Sequence, residues 1–297
     1  MSITACWKNT EQINVKYLIT GATGNVGSLV VNNLVRRDIR PRILVRDRQK
    51  ATDRFGESVD IFVGDLADAA TLSDALQGTD VFLLITSGPD LARQDKALAE
   101  AAKAANVGHL VKLSSFDARE QNIGTGVWHA QGQRAIQAVG IDHTFVQPSG
   151  FMSNALYWAN SIKSAGVVRT ATGDGKIPFI HPQDIADVTT EVLISQKHRG
   201  ASLPITGPES LSYAEMAAKV AAVIGKPIRF EAISEAEARS QQQAWGAAPE
   251  LLEARLSIFR AIREGRLDSI TTVVEQVLGR KATTFDQWAS ENVEAFR

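Results

Sequence analysis

Six short apolar, β-branched runs recur through the first half of the chain, and each is followed by a stretch with helical spacing. The runs fall at 15–20, 43–45, 59–63, 81–85, 109–113 and 143–146. Helical patterns separate them: one from Val26, with Val30 and Leu34 on the same stripe as Leu29, then 49–55, 71–76, 90–105 and 131–139. Repeated strand–helix–strand alternation of this kind closes most simply as a doubly wound, mostly parallel sheet with helices on both faces. Runs such as Val81-Phe82-Leu83-Leu84-Ile85 lack polar alternation, as strands buried on both faces should.

Beyond residue 150 the rhythm changes. Helical spacing is expected over 151–165, 184–195, 213–224, 235–245, 250–264 and 285–296, with extended stretches at 167–171 and 176–180. Neither a composition break nor a low-complexity linker intervenes. The expected organisation is an N-terminal extension (1–14), a Rossmann-type α/β domain (15–150) and a smaller, mainly helical lobe (151–297) packed on it and interleaved with the sheet.

The most informative motif is Gly21-Ala22-Thr23-Gly24-Asn25-Val26-Gly27, between the first strand and the first helix. Glycines there allow a tight turn and close approach of backbone N–H groups to an anion, and the helix dipole favours a pyrophosphate at that end. A lone glycine triplet is weak evidence, because turns after strands often need one. Its position after a strand and before an amphipathic helix makes it a dinucleotide-binding turn.

The choice of dinucleotide rests on the end of the second strand. A free ribose 2′-hydroxyl is usually met by a carboxylate, yet here the strand runs into Arg46-Asp47-Arg48-Gln49-Lys50. A guanidinium binds a 2′-phosphate, so NADP(H) is expected, with Arg46 as ligand and Arg48 or Lys50 as helpers. Asp47 is the one residue that argues the other way. Asp65 and Leu66 after the third strand, and Thr86 and Ser87 after the fourth, belong to the same crevice; helix capping is the competing account of Ser87 and Asp90. Ser114, Ser115 and Pro148 end the fifth and sixth strands, where ligands of open α/β sheets bind.

The glycine spacing, its position and the strand rhythm resemble the extended and atypical branches of the short-chain dehydrogenase/reductase superfamily. Many members use a Tyr and a Lys four residues on, but Tyr17, Tyr157 and Tyr213 are followed at that distance by Gly21, Ser161 and Ala217. With Trp128-His129-Ala130-Gln131-Gly132-Gln133 and Pro148-Ser149-Gly150-Phe151-Met152, the chain resembles the NmrA-like group. That resemblance implies a reductase of quinones or dyes, or an NADP(H)-sensing regulator. Gln131 and Gln133 stand where members often carry Glu. His129 would take the tyrosine's place, as proton donor or as a structural residue, and Ser114 would orient substrate.

A missing acid points to an acceptor that needs little protonation: a quinone, a dye or an iminium rather than an ordinary ketone. Phe116, Trp128, Phe151, Met152, Tyr157, Trp158 and Trp245 fit a flat aromatic guest, although such residues are more often core. The alternatives are a sensor without catalysis and a reductase of one biosynthetic imine or ketone.

Other chemistries find little support. Thirty-two basic residues balance 33 acidic ones across 297, so neither nucleic acid nor an anionic membrane is an expected partner. The single cysteine, Cys6, excludes a cysteine-built metal centre, and the five histidines lack metal-ligand spacing. His181 could touch substrate or simply open the next helix, with Asp184 as that helix's N-terminal carboxylate. Without a secretory leader or membrane span the expected address is cytoplasmic, and the expected partners are a small aromatic molecule and, at most, a second copy of the chain.

Overall fold

The computed structural model describes residues 15–66, 68–120 and 122–297; the expected extension 1–14, with Cys6, lies outside them. The first half forms β1 (Tyr17–Thr20), α1 (Asn25–Val35), β2 (Arg42–Val45), α2 (Arg48–Phe55), β3 (Asp60–Val63), α3 (Ala69–Leu76), β4 (Val81–Leu84), α4 (Leu91–Ala104), β5 (His109–Leu113), α5 (Gly126–Val139) and β6 (His143–Pro148). The second half adds α6 (Ala159–Ala165), β7 (Val167–Thr170), β8 (Lys176–Ile177), α7 (Pro182–Ile194), β9 (Ser202–Ile205), β10 (Leu211–Ser212), α8 (Tyr213–Ile224), β11 (Arg229–Ala232), α9 (Glu235–Ala244), α10 (Pro249–Arg263), α11 (Val273–Leu278) and α12 (Phe285–Glu291).

The main sheet is parallel throughout, in the order β3-β2-β1-β4-β5-β6-β9. The doubly wound fold is therefore as expected, with one strand more than expected. Strand β9 is the addition, hidden in the sequence by a proline in a four-residue run, which edge strands tolerate. Two small pairs flank the lobe, β10 with β8 and β11 with β7. The single helix expected over 151–165 is split into a 3₁₀ segment, Met152–Trp158, and the α-helix α6. The last helix stops at Glu291, short of Phe296.

Core composition explains how the halves are joined. Leu18 and Ile19 of β1 face opposite sides of the sheet, and both are fully buried. Burial of each side chain is worth about 2 kcal/mol. The layer containing Ile19 also takes Ile185, Val188 and Val192 of α7, Leu203 and Ile205 of β9, and Val274 of α11. Residues beyond 150 thus return to complete one face of the sheet. The remaining lobe has its own core, with Tyr213, Met216, Ile262, Phe285 and Trp288.

Parallel strands have all their carboxyl ends on one edge. Register puts Thr20 beside Leu44, so the turn after β1 and the segment after β2 leave the sheet side by side. The ends of β4, β5 and β6 continue the same edge. There the two halves meet.

Candidate active site

The glycine turn has the geometry that its sequence promised. Gly21 has φ +63°, a value few L-residues adopt, and its carbonyl accepts from the Gly24 N–H at 3.0 Å. A Cβ on Gly27 would come within 2.1 Å of the Gly21 oxygen, so only glycine lets α1 start this close to the turn. No side chain caps α1. Ser28 N–H is the first to find a helical acceptor, Gly24 O at 3.2 Å, so the amides of Asn25, Val26 and Gly27 are those a helix leaves orphaned. The Val26 side chain is buried in the core, so Val26 faces the crevice only through its backbone. Thr23 is half-buried, and Asn25 Nδ2 donates to Ser153 Oγ at 2.9 Å, bridging the turn to the lobe.

Arg46 is exposed directly after β2, with no carboxylate within 4.0 Å among the described residues. Asp47 is engaged elsewhere: it is the N-cap of α2, accepting from Lys50 N–H at 3.0 Å. The residue that argued for a free 2′-hydroxyl therefore has a structural task. Arg48 donates to Ile61 O, and Lys50 is exposed. Sequence reasoning missed Arg54, which reaches back to the turn from α2, donating to Thr23 O at 3.1 Å and Ser28 Oγ at 2.6 Å. Nothing in its spacing marks it.

Gly64, exposed Asp65 and half-buried Leu66 follow β3 on this edge. Ser87 is exposed after β4, and Asp90 makes no capping bond to α4. The Thr86 hydroxyl turns inward, donating to Asp95 Oδ1 at 2.6 Å and accepting from Lys112 Nζ at 2.6 Å, so Thr86 meets the crevice through its backbone. Lys112 and Asp95 form an ion pair at 3.1 Å, both fully buried, beneath this edge. Burial holds the Lys112 ammonium below its ordinary pKa, and Asp95 partly opposes that shift.

Ser114 and Ser115 leave the end of β5. Ser114 Oγ accepts from Gln133 Nε2 at 2.6 Å, and Gln147 Nε2 in turn approaches Gln133 Oε1 at 3.4 Å. Gln133 thus orients this serine; Gln131 is exposed on the same helix. Ser115 is hydrogen-bonded to Asp117, which the sequence reading also missed. Asp117 is nearly fully buried and accepts from Gly126 N–H at 3.2 Å; burial pushes its carboxyl above the usual range, against those hydrogen bonds. No motif points to it, because its setting is made by the start of α5.

His129, expected either as a proton donor or as a structural residue, lines the cavity from α5. Burial and the nearby Lys112 charge lower its pKa to about 3, so it is neutral at physiological pH. Its Nδ1 is buried and has no hydrogen-bond partner among the described residues.

A cavity of about 760 Å³ opens from these strand ends toward α9 and α10. Ser114, Ser115, Asp117, His129 and Pro148 line it from the strand ends and α5, and Gln241, Gln242, Trp245 and Arg255 line it from α9, its C-terminal turn and α10. Phe116, Phe151, Tyr157 and Trp158 line it as expected, as does Trp245, itself 59% exposed. Two expected wall residues do not line it. Met152 is buried in the lobe core, and Trp128, half-buried on α5, is absent from the wall. Their places go to Phe179, Tyr213 and Phe259, which lie far apart in sequence and carry no shared motif. The Tyr213 ring sits 5.4 Å from Trp158 and 5.8 Å from Phe179, and burial pushes its phenol pKa upward.

His181 is outside this wall. It caps α7, with Nδ1 accepting from Gln183 N–H at 2.9 Å, while buried Asp184 binds Arg280 at 2.7 Å. Among the described residues no cluster has the composition of a metal site, and no helix is long and apolar enough to cross a membrane.

A parallel sheet with an uncapped glycine turn, and a lobe closing a cavity over its carboxyl edge, define a dinucleotide-binding α/β protein with a second ligand pocket. The NmrA-like family model matches residues 14–289, and the chain belongs to that family. It is 38% identical over 282 residues to a (4-alkanoyl-5-oxo-2,5-dihydrofuran-3-yl)methyl phosphate reductase of Streptomyces griseus, covering 94% of this chain and 98% of the relative. An NAD(P)H azoreductase of Xenophilus azovorans is 34% identical, with 94% and 98% covered. The structure of an NADPH-dependent quinone oxidoreductase of Escherichia coli, complexed with NADPH, superposes with a TM-score of 0.85 at 25% identity, covering 93% of this chain and 99% of that one.

Proposed function

We propose that this protein is an NADPH-dependent reductase of quinone-like or otherwise activated aromatic electrophiles. The observation that carries the reading is continuity. Ser114, Ser115 and Pro148, on the edge that holds the glycine turn, are also the first wall of an aromatic cavity. A cofactor lying across the edge and an acceptor in the cavity would meet there. Three well-covered relatives bear reductase names, two of them naming NADPH or NAD(P)H, which supports the same reading.

The residues present fit the dinucleotide. The amides of Asn25, Val26 and Gly27 would hold the pyrophosphate, and Gly21 and Gly24 let it approach. Arg46, with Lys50 beside it, would meet the 2′-phosphate, and the capping role of Asp47 removes the competing carboxylate. Asp65, Leu66, Thr86 by its backbone, and Ser87 would border the adenosine and ribose. When bound, NADPH supplies a hydride from its nicotinamide ring.

Reduction of a quinone or azo group also requires a proton. Burial drives two cavity-wall groups, Asp117 and Tyr213, toward their acid forms, and we assign the donor role to Asp117, which is hydrogen-bonded to Ser115 at the strand end, with water restoring its proton. Ser114, held by Gln133, would orient the acceptor. An acceptor that is already electron-poor suits a site with no Tyr and Lys dyad, since the hydride step then develops little localised charge.

The test is to mix the protein with NADPH and a panel of quinones and azo dyes and to follow loss of cofactor absorbance. Turnover with NADPH exceeding that with NADH is expected. Tight cofactor binding without oxidation by any acceptor would overturn the reductase reading in favour of a sensor.

A further inference from the structure

Arginines in the second half of the chain are used in one way, with a single exception. Arg169 pairs with Glu231, Arg199 with Asp142, Arg239 with Glu253, Arg260 with Glu235, and Arg280 with Asp184 and Asp187. Arg229, Arg263, Arg266 and Arg297 also have a carboxylate within 4.0 Å. Among the described arginines beyond residue 150, Arg255 alone has none. It is half-buried on α10 and lines the cavity. Its one hydrogen bond among the described residues is from Nη1 to Gln242 Oε1, at 2.8 Å.

That bond orients the guanidinium without neutralising it. Gln242 is 5% exposed and uncharged, so most of the five N–H donors on the fork have no protein partner among the described residues. Helix α9 changes character along its length: Glu235 and Glu237 open it, whereas Gln241 and Gln242 face the cavity. The cavity's own carboxyl group, Asp117, is bound to Ser115 and the Gly126 amide at the strand end. A cation in an apolar wall without a counter-charge is costly, and a ligand anion relieves that cost with a charge-assisted, often bidentate contact.

We propose that Arg255, oriented by Gln242, is the anchor of an anion subsite at the lobe end of the cavity. The acceptor then carries a carboxylate, sulfonate or phosphate at the end of its flat body remote from the reducible centre. This rests on the reductase reading for the word acceptor, while the anion subsite itself does not need turnover. The cavity, at about 760 Å³, has room for such a body and its charged end.

The experiment compares menadione, which is neutral, with naphthoquinone sulfonate, with NADPH saturating. The wild type should show a KM for the sulfonate lower by about tenfold or more. Arg255→Met should bring the two KM values to within about twofold of each other, and Arg255→Lys should keep part of the preference. A wild type without preference, or a preference that persists in Arg255→Met, overturns the subsite. A second measurement is free of catalysis: quenching of tryptophan fluorescence by naphthalene sulfonate should weaken about tenfold in Arg255→Met. Sulfonate binding that needs Arg255, with neither quinone reduced, would sink the reductase reading and leave the subsite standing. Reduction of both quinones without preference would do the reverse.

Discussion

The two ends of the cleft are built on different principles. The cofactor end is made of backbone: a turn, orphaned amides and strand ends, with exposed Arg46 and Lys50 beside them. The acceptor end is made of side chains gathered from distant segments, among them Phe116, Trp158, Phe179, Tyr213 and Arg255. A backbone cradle suits a ligand that stays the same, because its geometry depends on glycine and helix phase. A side-chain wall can change residue by residue while the fold stays intact. The difference predicts that substitutions at the first end are nearly all-or-none, and at the second graded and selective.

The largest expected effect tests the first half of that statement. Gly27→Ala would drive a methyl to 2.1 Å from the Gly21 carbonyl oxygen, so the turn must open or α1 must shift. NADPH affinity measured by calorimetry should fall by about 100-fold or more. Circular dichroism shows whether the fold survives. Affinity within a few-fold of wild type would break the comparison, because the cradle would then be as tolerant as the wall.

Next in size is Arg46→Ala. An exposed guanidinium that meets a 2′-phosphate should contribute about tenfold to a hundredfold in affinity. The variant should lose that much for NADPH and little for NADH, so the ratio of the two dissociation constants is the readout. Equal losses for both would mean that Arg46 supports the turn rather than reading the phosphate. In that case Arg54, which touches Thr23 and Ser28, becomes the better phosphate ligand.

How far the chain could be read from its sequence follows the same division. Strand β1, the glycine turn and α1 were legible because backbone constraint leaves a local signature: a β-branched run, fixed glycines, then a 3.6-residue stripe. Arg46 was legible because it adjoins a strand end. Strand β9 was not, since Pro204 disguises four residues whose extended form depends on pairing with β6. Phe179, Tyr213 and Arg255 were invisible as a group, for only the folded lobe brings them to one cavity. Asp117 and His129 failed differently. Burial shifts the protonation of both, and the Lys112 charge adds to it at His129, which no spacing reveals.

A smaller effect probes the acceptor end. Asp117→Asn retains a polar group against Ser115 and the Gly126 amide but removes the acid proton. For electron-poor acceptors kcat should fall by about tenfold, less than general acids usually contribute, since the hydride step itself needs little protonation. The sign with pH follows from the raised carboxyl: wild-type kcat should decline as pH rises through the folded pKa, and the variant should lose that decline. A variant that keeps the same alkaline decline would assign the donor role to another group.

The smallest effect concerns stability and again separates the two ends. Burial, aided by the Arg199 charge, lowers the pKa of His109 on β5 to about 4, and its Nε2 lies 2.9 Å from Thr144 Oγ1. The unfolded chain, with its histidines near 6.5, binds the proton first, so stability is full above that value and is lost as pH falls toward 4. From pH 7 to pH 6 this one imidazole should cost about 0.7 kcal/mol, read as a shift in the urea midpoint. His109→Gln should flatten the dependence by that amount. The lobe core around Tyr213, Phe285 and Trp288 has no histidine among its buried residues. Amide hydrogen exchange between the same two pH values should therefore loosen β5 and β6 before α8 and α12, and the opposite order would show that the acid-sensitive part of the fold lies in the lobe.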